Sequence, residues 1–357
     1  MKQIKVLIVD DSAMMRKAIR RILETDTDIE VVGVARDGED ALRKDAELCP
    51  DVVTMDINMP VMDGITCMLH LFEQHPEVKV IMLSSLTQEG AMTTFEALEL
   101  GAFDFVGKPS GTVSANLHII GKELIAKIKL AVIQRKKHRP SAFSKSQPIK
   151  KAPARASCAI AGKSTQKVIV IGVSTGGPST LLEILPHIPQ DIDAAIFVVQ
   201  HMPPMFTTSF AKRLDDHCKI PFKEAQNGDI IFKGQGLLAP GGLHLIVRKN
   251  IQRSEYMVRL TTQPEGTLFR PSVDVTMQSV LEIYGKKTVG VLLTGMGSDG
   301  ADGMVAIRKA GGITIAEAES TAIVFGMPQE AILRGGAEIV APAYNIAKEI
   351  VKAVSRL

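Results

Sequence analysis

The sequence predicts an α/β protein with two mostly parallel sheets joined by a linker. Short apolar runs suited to buried strands alternate with helix-length amphipathic segments, and this alternation occurs twice along the chain. The 357 residues also exceed what one typical hydrophobic core organises. We therefore expect a first domain over residues 1–133, a flexible basic linker over 134–167 and a second domain over 168–357.

The first domain has five strand-like runs, which predict a doubly wound parallel sheet. Such sheets gather their functional groups at the carboxyl ends of the strands. The runs cover residues 6–10, 29–35, 51–56, 78–85 and 103–109. The residues at their carboxyl ends are Asp10, Asp11, Asp56, Ser84, Ser85, Lys108 and Pro109. Three carboxylates, hydroxyl groups and a lysine are thus expected at one edge.

Clustered carboxylates repel one another unless a cation joins them. Oxygen ligands around a small site suit Mg²⁺. A carboxylate such as Asp56, held beside a metal, can attack a phosphoryl group, while Lys108 and the metal neutralise charge on its oxygens. Solvated strand ends are the alternative interpretation for any single acid, but they do not account for all of them at successive strand ends.

Over its full length, the first domain resembles a response-regulator receiver domain, which implies a flavodoxin-like fold. The matching residues are Asp10, Asp11, Asp56 with Ile57-Asn58-Met59-Pro60, Asp63-Gly64, Ser84 and Lys108-Pro109. The resemblance implies that Asp56 accepts the phosphoryl group. The implied Mg²⁺ ligands are Asp11, Asp56 and the Asn58 carbonyl, with Asp10 assisting. The implied switch residues are Ser84, Phe105 and Lys108, with Phe105 standing where many receivers have tyrosine.

The predicted linker is basic and low in complexity. It contains ten Lys or Arg residues and no acid, so the remaining chain has 42 − 10 = 32 bases against 39 acids. Proline, serine, alanine and lysine without a period leave little to bury, which predicts a flexible tether. Contact with nucleic acid is the alternative, but Phe143 is the one aromatic residue in this segment.

A second mostly parallel α/β sheet is predicted after the linker. Its strand-like runs cover residues 168–173, 193–201, 287–295, 312–318 and 337–343. A less regular middle, over 228–250 and 256–262, has turn residues between β-like runs and predicts an antiparallel hairpin. Loops at the carboxyl edge of this sheet start at Ser174, His201 and Gly295.

The first of these loops has the pattern of a nucleophile elbow. Ser174 lies between Gly172 and Gly176 at the end of an apolar run, where glycines relieve the crowding of a sharp strand-to-helix turn. A phosphate-binding loop at a helix N-terminus is the alternative. A dinucleotide fold, however, requires an acid at the end of the second strand, and Gln200-His201 stands there.

A serine nucleophile needs a base, and the base needs a third group to orient it. His201 follows the second strand and is expected at the same edge as Ser174, although a packing histidine is the alternative. The other histidines considered are His187, His217 and His244. The acid candidates are Asp299, Asp302 and Asp274, which position alone does not separate. Backbone amides of the loop after Gly295 are candidates for an oxyanion hole.

The second domain resembles the catalytic domain of chemotaxis protein-glutamate methylesterases, the CheB family. The matching segments are GVSTGGPS, VVQHMPPMFTTSFAKRL, LLAPGG, RPSVDV and LLTGMGSDGADGM. With the receiver and linker, the resemblance covers essentially the whole chain. It implies that Ser174 is the nucleophile, His201 the general base and Asp299 its orienting acid. It also implies that the Met296 amide contributes to the oxyanion hole and that Thr175 lines the site.

These features predict a phosphorylation-activated hydrolase that removes methyl groups from glutamyl methyl esters of chemoreceptors, with glutamine deamidation as a second activity. The resemblance implies a chemotaxis histidine kinase as phosphodonor and no cofactor for the esterase. It also suggests that the unphosphorylated receiver covers the esterase cleft. The alternatives are a receiver-controlled DNA-binding regulator, for which no helix-turn-helix pattern is present, and a receptor adaptor without catalysis.

The sequence also predicts a cytoplasmic protein. No apolar run approaches the roughly 20 residues that span a bilayer, and two acids follow the first apolar residues too early for a secretory signal. The four cysteines, Cys49, Cys67, Cys158 and Cys218, show no metal or disulfide spacing and are interpreted as reduced thiols.

Overall fold

The computed structural model describes residues 3–85, 87–108, 116–134, 165–250 and 255–357. The chain divides into two compact units, residues 1–144 and 145–357. Pro109 and residues 135–164, which include most of the predicted linker, lie outside the described residues. Among the helices in the described ranges, none is both long and apolar enough to cross a bilayer.

In the part of the first unit that the structure describes, five strands alternate with five helices. The strands are β1 (Ile4–Val9), β2 (Ile29–Ala35), β3 (Val52–Asp56), β4 (Lys79–Ser84) and β5 (Asp104–Gly107). The helices are α1 (Ala13–Leu23), α2 (Gly38–Leu48), α3 (Gly64–Gln74), α4 (Gln88–Glu99) and α5 (Asn116–Gln134). All strand pairs are parallel and the order is β2-β1-β3-β4-β5. This is the flavodoxin-like order, so the predicted fold is confirmed.

Short polar side chains fix where the helices of this unit begin. Ser12, Asp37, Asp63 and Thr87 are the N-caps of α1 to α4, and each side chain accepts a hydrogen bond from the backbone N–H three residues later. Such caps satisfy amides that have no partner inside the helix. The caps fix the start of α1, α2 and α4 within four residues of a strand's carboxyl end, whereas α3 starts eight residues after β3.

Helix α5 is attached to β5 by the largely buried Lys127, whose side chain is 12% exposed. Its ammonium lies 3.2 Å from the Asp104 carboxylate and 2.9 Å from that of Glu123. It also donates to the Phe105 carbonyl at 2.5 Å and lies 5.3 Å from the centre of the Phe105 ring. Asp104 is only 3% exposed, so it depends on Lys127 to compensate its charge.

We expect Lys127→Met to lower the free energy of unfolding by roughly 3–5 kcal/mol, because the buried Asp104 carboxylate is left without its partner. Urea unfolding of the full chain, followed by circular dichroism, measures this change. Lys129→Met on the same helix is the matched control. Lys129 pairs with Asp26 and Asp28 at the surface, where solvent screens the charges, so a much smaller effect is expected. Equal effects of the two substitutions would contradict the role assigned to Lys127.

The described residues of the second unit form nine strands. They are β6 (Val168–Val173), β7 (Ala195–Gln200), β8 (Phe222–Glu224), β9 (Gly236–Leu238), β10 (His244–Asn250), β11 (Glu255–Thr261), β12 (Thr288–Leu292), β13 (Ile313–Glu317) and β14 (Ile339–Ala341). Seven of them form a parallel sheet in the order β14-β13-β12-β6-β7-β9-β8. Every residue of β6, β7 and β12 is buried, as expected for strands covered on both faces.

Within ranges 165–250 and 255–357, six α-helices and two short 3₁₀ helices accompany this sheet. The α-helices are α6 (Gly177–Ile184), α7 (Pro204–His217), α8 (Val273–Tyr284), α9 (Ala301–Lys309), α10 (Met327–Leu333) and α11 (Ala343–Arg356). The 3₁₀ helices are Leu185–His187 and Gly285–Lys287. The alternating α/β arrangement predicted for residues 168–357 is thereby confirmed.

The middle of this unit has more structure than the sequence indicated. The predicted antiparallel hairpin is present as β10 and β11, paired from His244 with Thr261 to Asn250 with Glu255. The segments Phe222–Glu224 and Gly236–Leu238, however, join the main sheet as parallel strands. Runs of three residues are too short to show a strand period. β9 pairs with β7, and β8 pairs with β9, so tertiary neighbours decide their place in the sheet.

Candidate active site

The candidate catalytic residues follow three central strands of the larger sheet. Strand order reverses between β12 and β6, and ligand sites of open α/β sheets lie at such a reversal. Val173, the last residue of β6, pairs with Gln200, the last residue of β7. Ser174 and His201 therefore leave adjacent strands at the same level. The His201 N–H donates to the Val173 carbonyl at 3.1 Å.

The backbone of Ser174 is held on both sides. Its N–H donates to the Thr294 carbonyl at 3.0 Å, and its carbonyl accepts from Gln200 Nε2 at 2.9 Å. A Cβ added to Gly295 would lie 2.8 Å from the Ser174 Cβ, so glycine is required there for close approach. Gly176 follows with φ of 76°, which lets the chain turn into α6. The serine is fixed by its neighbours before any substrate binds.

His201 and Asp299 form a direct pair. His201 Nε2 lies 2.8 Å from Asp299 Oδ2, and the imidazole is stacked on the Phe269 ring, with centroids 4.1 Å apart and planes at 13°. Its other nitrogen, Nδ1, is buried and has no hydrogen-bond partner among the described residues. Since Nε2–H faces the carboxylate, Nδ1 is the unprotonated nitrogen that can accept a proton.

The Asp299 carboxylate is held at the N-terminus of α8. Its Oδ1 accepts from the Ser272 hydroxyl at 2.8 Å and from the Asp274 N–H at 3.1 Å, and its Oδ2 accepts from the Val273 N–H at 2.7 Å. Burial alone would raise the pKa of Asp299, but His201 and these amides lower it to about 2. The carboxylate facing His201 therefore stays ionised.

The two other acid candidates have different partners. Asp274 accepts from the Gly303 N–H at 2.7 Å, and burial, together with the nearby carboxylates, raises the pKa of Asp274 to about 6. Asp302 is paired with Arg334 at 2.8 Å near the surface. Within the described residues, neither of them contacts His201, so the geometry favours Asp299 as the orienting acid.

The remaining candidates lie beside the serine. Met296 follows Gly295 directly and is 40% exposed, and its backbone N–H donates no hydrogen bond within the described part of the chain. That amide is free to meet a developing oxyanion. Thr175 is buried, and its carbonyl accepts from the Thr294 hydroxyl at 2.9 Å, which fixes the peptide that follows Ser174.

The predicted acidic cluster is present at the carboxyl edge of the smaller sheet. Asp10, Asp11 and Asp56 offer oxygen atoms within 4.8 Å of one another, and Lys108 Nζ lies 2.8 Å from Asp10 and 2.7 Å from Asp56. Burial raises the pKa of Asp56; Lys108 opposes this rise, and the charges of Asp10 and Asp11 add to it. Three clustered carboxylates, two of them paired with one lysine, fit a small divalent cation.

The candidate switch residues differ in their surroundings. The buried Ser84 hydroxyl accepts from Thr94 at 2.7 Å and donates to the Gly90 carbonyl at 3.1 Å, so it faces α4. Phe105 is 5% exposed, and its ring packs edge-on against Phe95. Asn58, whose carbonyl is a predicted ligand, is exposed two residues after Asp56. Among the described residues, no hydrogen bond joins Ser84 to Asp56.

The larger site is that of a parallel α/β hydrolase with a serine and a histidine–carboxylate pair, in a chain that also carries a receiver-like unit. Residues 169–350 match the family model "CheB methylesterase", and residues 6–117 match "Response regulator receiver domain". The chain belongs to the CheB methylesterase family.

Relatives and a solved structure agree with this assignment. A "Protein-glutamate methylesterase/protein-glutamine glutaminase" of Caldanaerobacter subterraneus is 51% identical, over 99% of this chain and 97% of that protein. Another, of Syntrophomonas wolfei, is 53% identical over 99% of this chain and 100% of that protein. The Thermotoga maritima CheB methylesterase catalytic domain superposes with a TM-score of 0.50 at 42% identity, covering 52% of this chain and 97% of that domain.

Several supporting residues were not predicted from the sequence. Ser272 is the N-cap of α8, and its hydroxyl also donates to Asp299. A serine before an amphipathic run is recognisable as an N-cap, but the bond to Asp299 depends on a loop that is distant in sequence. Phe269 lies in an irregular segment and carries no local signal. In the sequence, Gln200 mattered only because no carboxylate stands at the end of the second strand. In the structure, its side-chain Nε2 donates to the carbonyls of Ser174 and His201.

Glu317 holds Thr294, whose carbonyl accepts the Ser174 N–H. Thr294 donates its N–H to Glu317 Oε2 at 2.8 Å and accepts from the Val324 N–H at 2.8 Å. The other Glu317 oxygen accepts from the Thr321 hydroxyl at 2.9 Å. Glu317 is fully buried, and burial is the main cause that raises the pKa of its side chain to about 7.

We expect Glu317 to make the second unit less stable as pH rises from about 4.5 to 7, because the native state binds a proton that the unfolded chain has already lost. The difference from 4.5 to about 7 amounts to roughly 3 kcal/mol. Glu317→Gln should remove most of this pH dependence in urea unfolding measured at several pH values. Glu282→Gln, on the exposed face of α8, is the control and should leave it unchanged. An unaltered slope in the Glu317→Gln variant would disprove the assignment.

Proposed function

We propose that Ser174, His201 and Asp299 perform the family reaction in this chain, the hydrolysis of glutamyl methyl esters on chemoreceptors with release of methanol. The observation that carries this proposal is the His201–Asp299 pair at 2.8 Å, in which His201 Nδ1 has no partner among the described residues and His201 follows the strand next to the one that precedes Ser174. We also propose that the protein is cytoplasmic, as its sequence predicts.

The reaction follows from the roles of these groups. As Ser174 Oγ attacks the ester carbonyl carbon, His201 Nδ1 takes the hydroxyl proton, and Asp299 stabilises the imidazolium that forms. The Met296 N–H donates to the oxyanion. The C–O bond to methanol then breaks and His201 returns the proton to the leaving oxygen. Water repeats the sequence on the acyl-enzyme, which releases the glutamate side chain and restores the serine.

The same groups support deamidation of glutamine. A glutamine amide and a glutamyl methyl ester share the acyl carbon and differ in the leaving group, which is ammonia for the amide. His201 can protonate either leaving group from the same position. The relatives are named for both activities, and we assign both to this chain.

The receiver unit supplies the control. The residues that would hold Mg²⁺ are Asp10, Asp11, Asp56 and the carbonyl of Asn58. Bound Mg²⁺ supplies positive charge that offsets the charge of the transferring phosphoryl group. Asp56 is the proposed acceptor of a phosphoryl group from a chemotaxis histidine kinase, and Lys108 holds the charged oxygens. The Ser84 hydroxyl, bonded to α4 through Thr94, is the proposed link to that helix.

Ser174→Ala should reduce methanol release from methylated receptor membranes by at least about 10³-fold, because the covalent step is lost while substrate binding remains. Release of labelled methanol measures this effect. Ser179→Ala, on the following helix, is the control and should retain activity. Near-normal release by the Ser174→Ala variant would exclude Ser174 as nucleophile, and absence of release by the unmodified chain would favour a role in binding receptors.

A small-molecule phosphodonor with Mg²⁺ should increase methanol release by the full chain, and Asp56→Ala should abolish the increase while basal release persists. Chelation of Mg²⁺ should have the same effect as the substitution. Asp51→Ala, at the opposite end of β3, controls for the loss of a carboxylate. An increase that survives in the Asp56→Ala variant would place the phosphorylation site elsewhere.

A further inference from the structure

His244 is a buried histidine that the proposed reaction does not use. It is the first residue of β10 and has no exposed surface. It is also one of the histidines that the sequence offered as a rival base. Both of its ring nitrogens are occupied, so it has no free nitrogen to accept a proton from Ser174.

The contacts of His244 define its tautomer. Its Nδ1 accepts the backbone N–H of Ser272 at 3.1 Å, and a backbone N–H can only donate, so Nδ1 carries no proton. In the neutral ring the proton is then on Nε2, which donates to the Thr267 hydroxyl at 3.3 Å. Burial lowers the pKa of His244, and the charge of Arg270 lowers it further, whereas a hydrogen bond to the Pro264 backbone and the charge of Asp299 act in the opposite direction. The neutral ring is therefore the favoured form.

Both contacts of His244 lead to the candidate base. Ser272, held by Nδ1, donates its hydroxyl to Asp299, and Asp299 is bonded to His201. Thr267, held by Nε2, lies two residues before Phe269, whose ring is stacked on the His201 imidazole. The contact with Ser272 supports Asp299, which bonds to the edge of the His201 ring. The contact with Thr267 supports the segment that carries Phe269, which packs on the face of that ring.

We propose that His244, as the neutral Nε2–H tautomer, is a positioning residue that holds the Ser272–Asp299 contact and the Phe269 loop against His201. This inference rests on the proposed function of His201 as general base. It assigns His244 no contact with substrate. The expected consequence of losing it is a lower kcat with little change in KM, because the orientation of the base changes while the substrate-binding surface does not.

A matched pair of substitutions separates the two contacts. His244→Asn places an amide oxygen near the position of Nδ1 and can still accept from Ser272, whereas the longer side chain in His244→Gln reaches the position of Nε2 and loses Ser272. We expect Asn to retain kcat within about threefold of the unmodified chain and Gln to lower it by about tenfold or more, with KM within about twofold for both. Labelled methanol release by the full chain, under identical phosphodonor conditions, measures both constants.

The opposite result is equally informative. If His244 only fills space, Asn and Gln should be equally harmful and His244→Leu should be the mildest change. Equal activity of the Asn and Gln variants, or a Leu variant better than Asn, would overturn the proposal. Thermal melts of each variant identify any loss of folding.

Nitrogen NMR of the full chain with labelled histidine tests the inference without substrate. In the unmodified protein, His244 should show an unprotonated, hydrogen-bonded Nδ1 and a protonated Nε2 at neutral pH, and the His244→Gln variant should alter the His201 Nε2–H signal that arises from the bond to Asp299. A protonated Nδ1 on His244, or an unchanged His201 signal in a folded His244→Gln variant, would refute the proposal. These spectra do not depend on methanol release, so failure of the esterase function and failure of the positioning role give different results.

Discussion

The catalytic unit depends on keeping one buried carboxylate ionised. Asp299 is removed from water, which by itself favours the neutral acid, yet it accepts hydrogen bonds from a hydroxyl, two backbone amides and an imidazole. The amides belong to the first turn of α8, where the helix dipole also favours negative charge. The proposed base His201, the cap Ser272 and the start of a core helix are thus joined through this one side chain.

Two other acids of the second unit show that the stabilisation of the ionised Asp299 carboxylate is local. Asp274, in the same helical turn, has a raised pKa because its surroundings offer fewer donors and two nearby carboxylates. Glu317, deeper in the sheet, has a pKa raised to about 7 with only two donors. The three acids share burial and differ in the number of donors that face the charge. Donor geometry, set by where helix α8 and the loop after β12 begin, therefore decides which acid can orient a base.

Much of this arrangement was predictable from the sequence, since strand ends are marked by changes from apolar to polar residues. The runs ending at Asp56, Val173 and Gln200 were identified, and parallel order then requires their following residues to share an edge. What the sequence left open depends on contacts between distant segments. Position in the sequence did not separate Asp299 from Asp274, and the resemblance alone selected Asp299; the contact with His201 depends on the path of the loop around α8. The stacking of Phe269 on His201 joins residues that are 68 positions apart. Strands β8 and β9 were missed because three residues carry no period.

The two units place carboxylates at the same kind of sheet edge but balance their charge differently. In the catalytic unit the donors around Asp299 belong to the protein itself, so the site is complete once the chain has folded. In the receiver unit three carboxylates lie together and one lysine pairs with two of them, so the local charge is negative, and the proposed binding of a cation and phosphorylation of Asp56 would each change it. Since burial already disfavours the charge on Asp56, each of these events alters the electrostatic energy of this edge substantially. A permanently organised catalytic site and a receiver site whose charge changes are what a regulated enzyme requires, because the reaction needs fixed geometry and the control needs a group that responds.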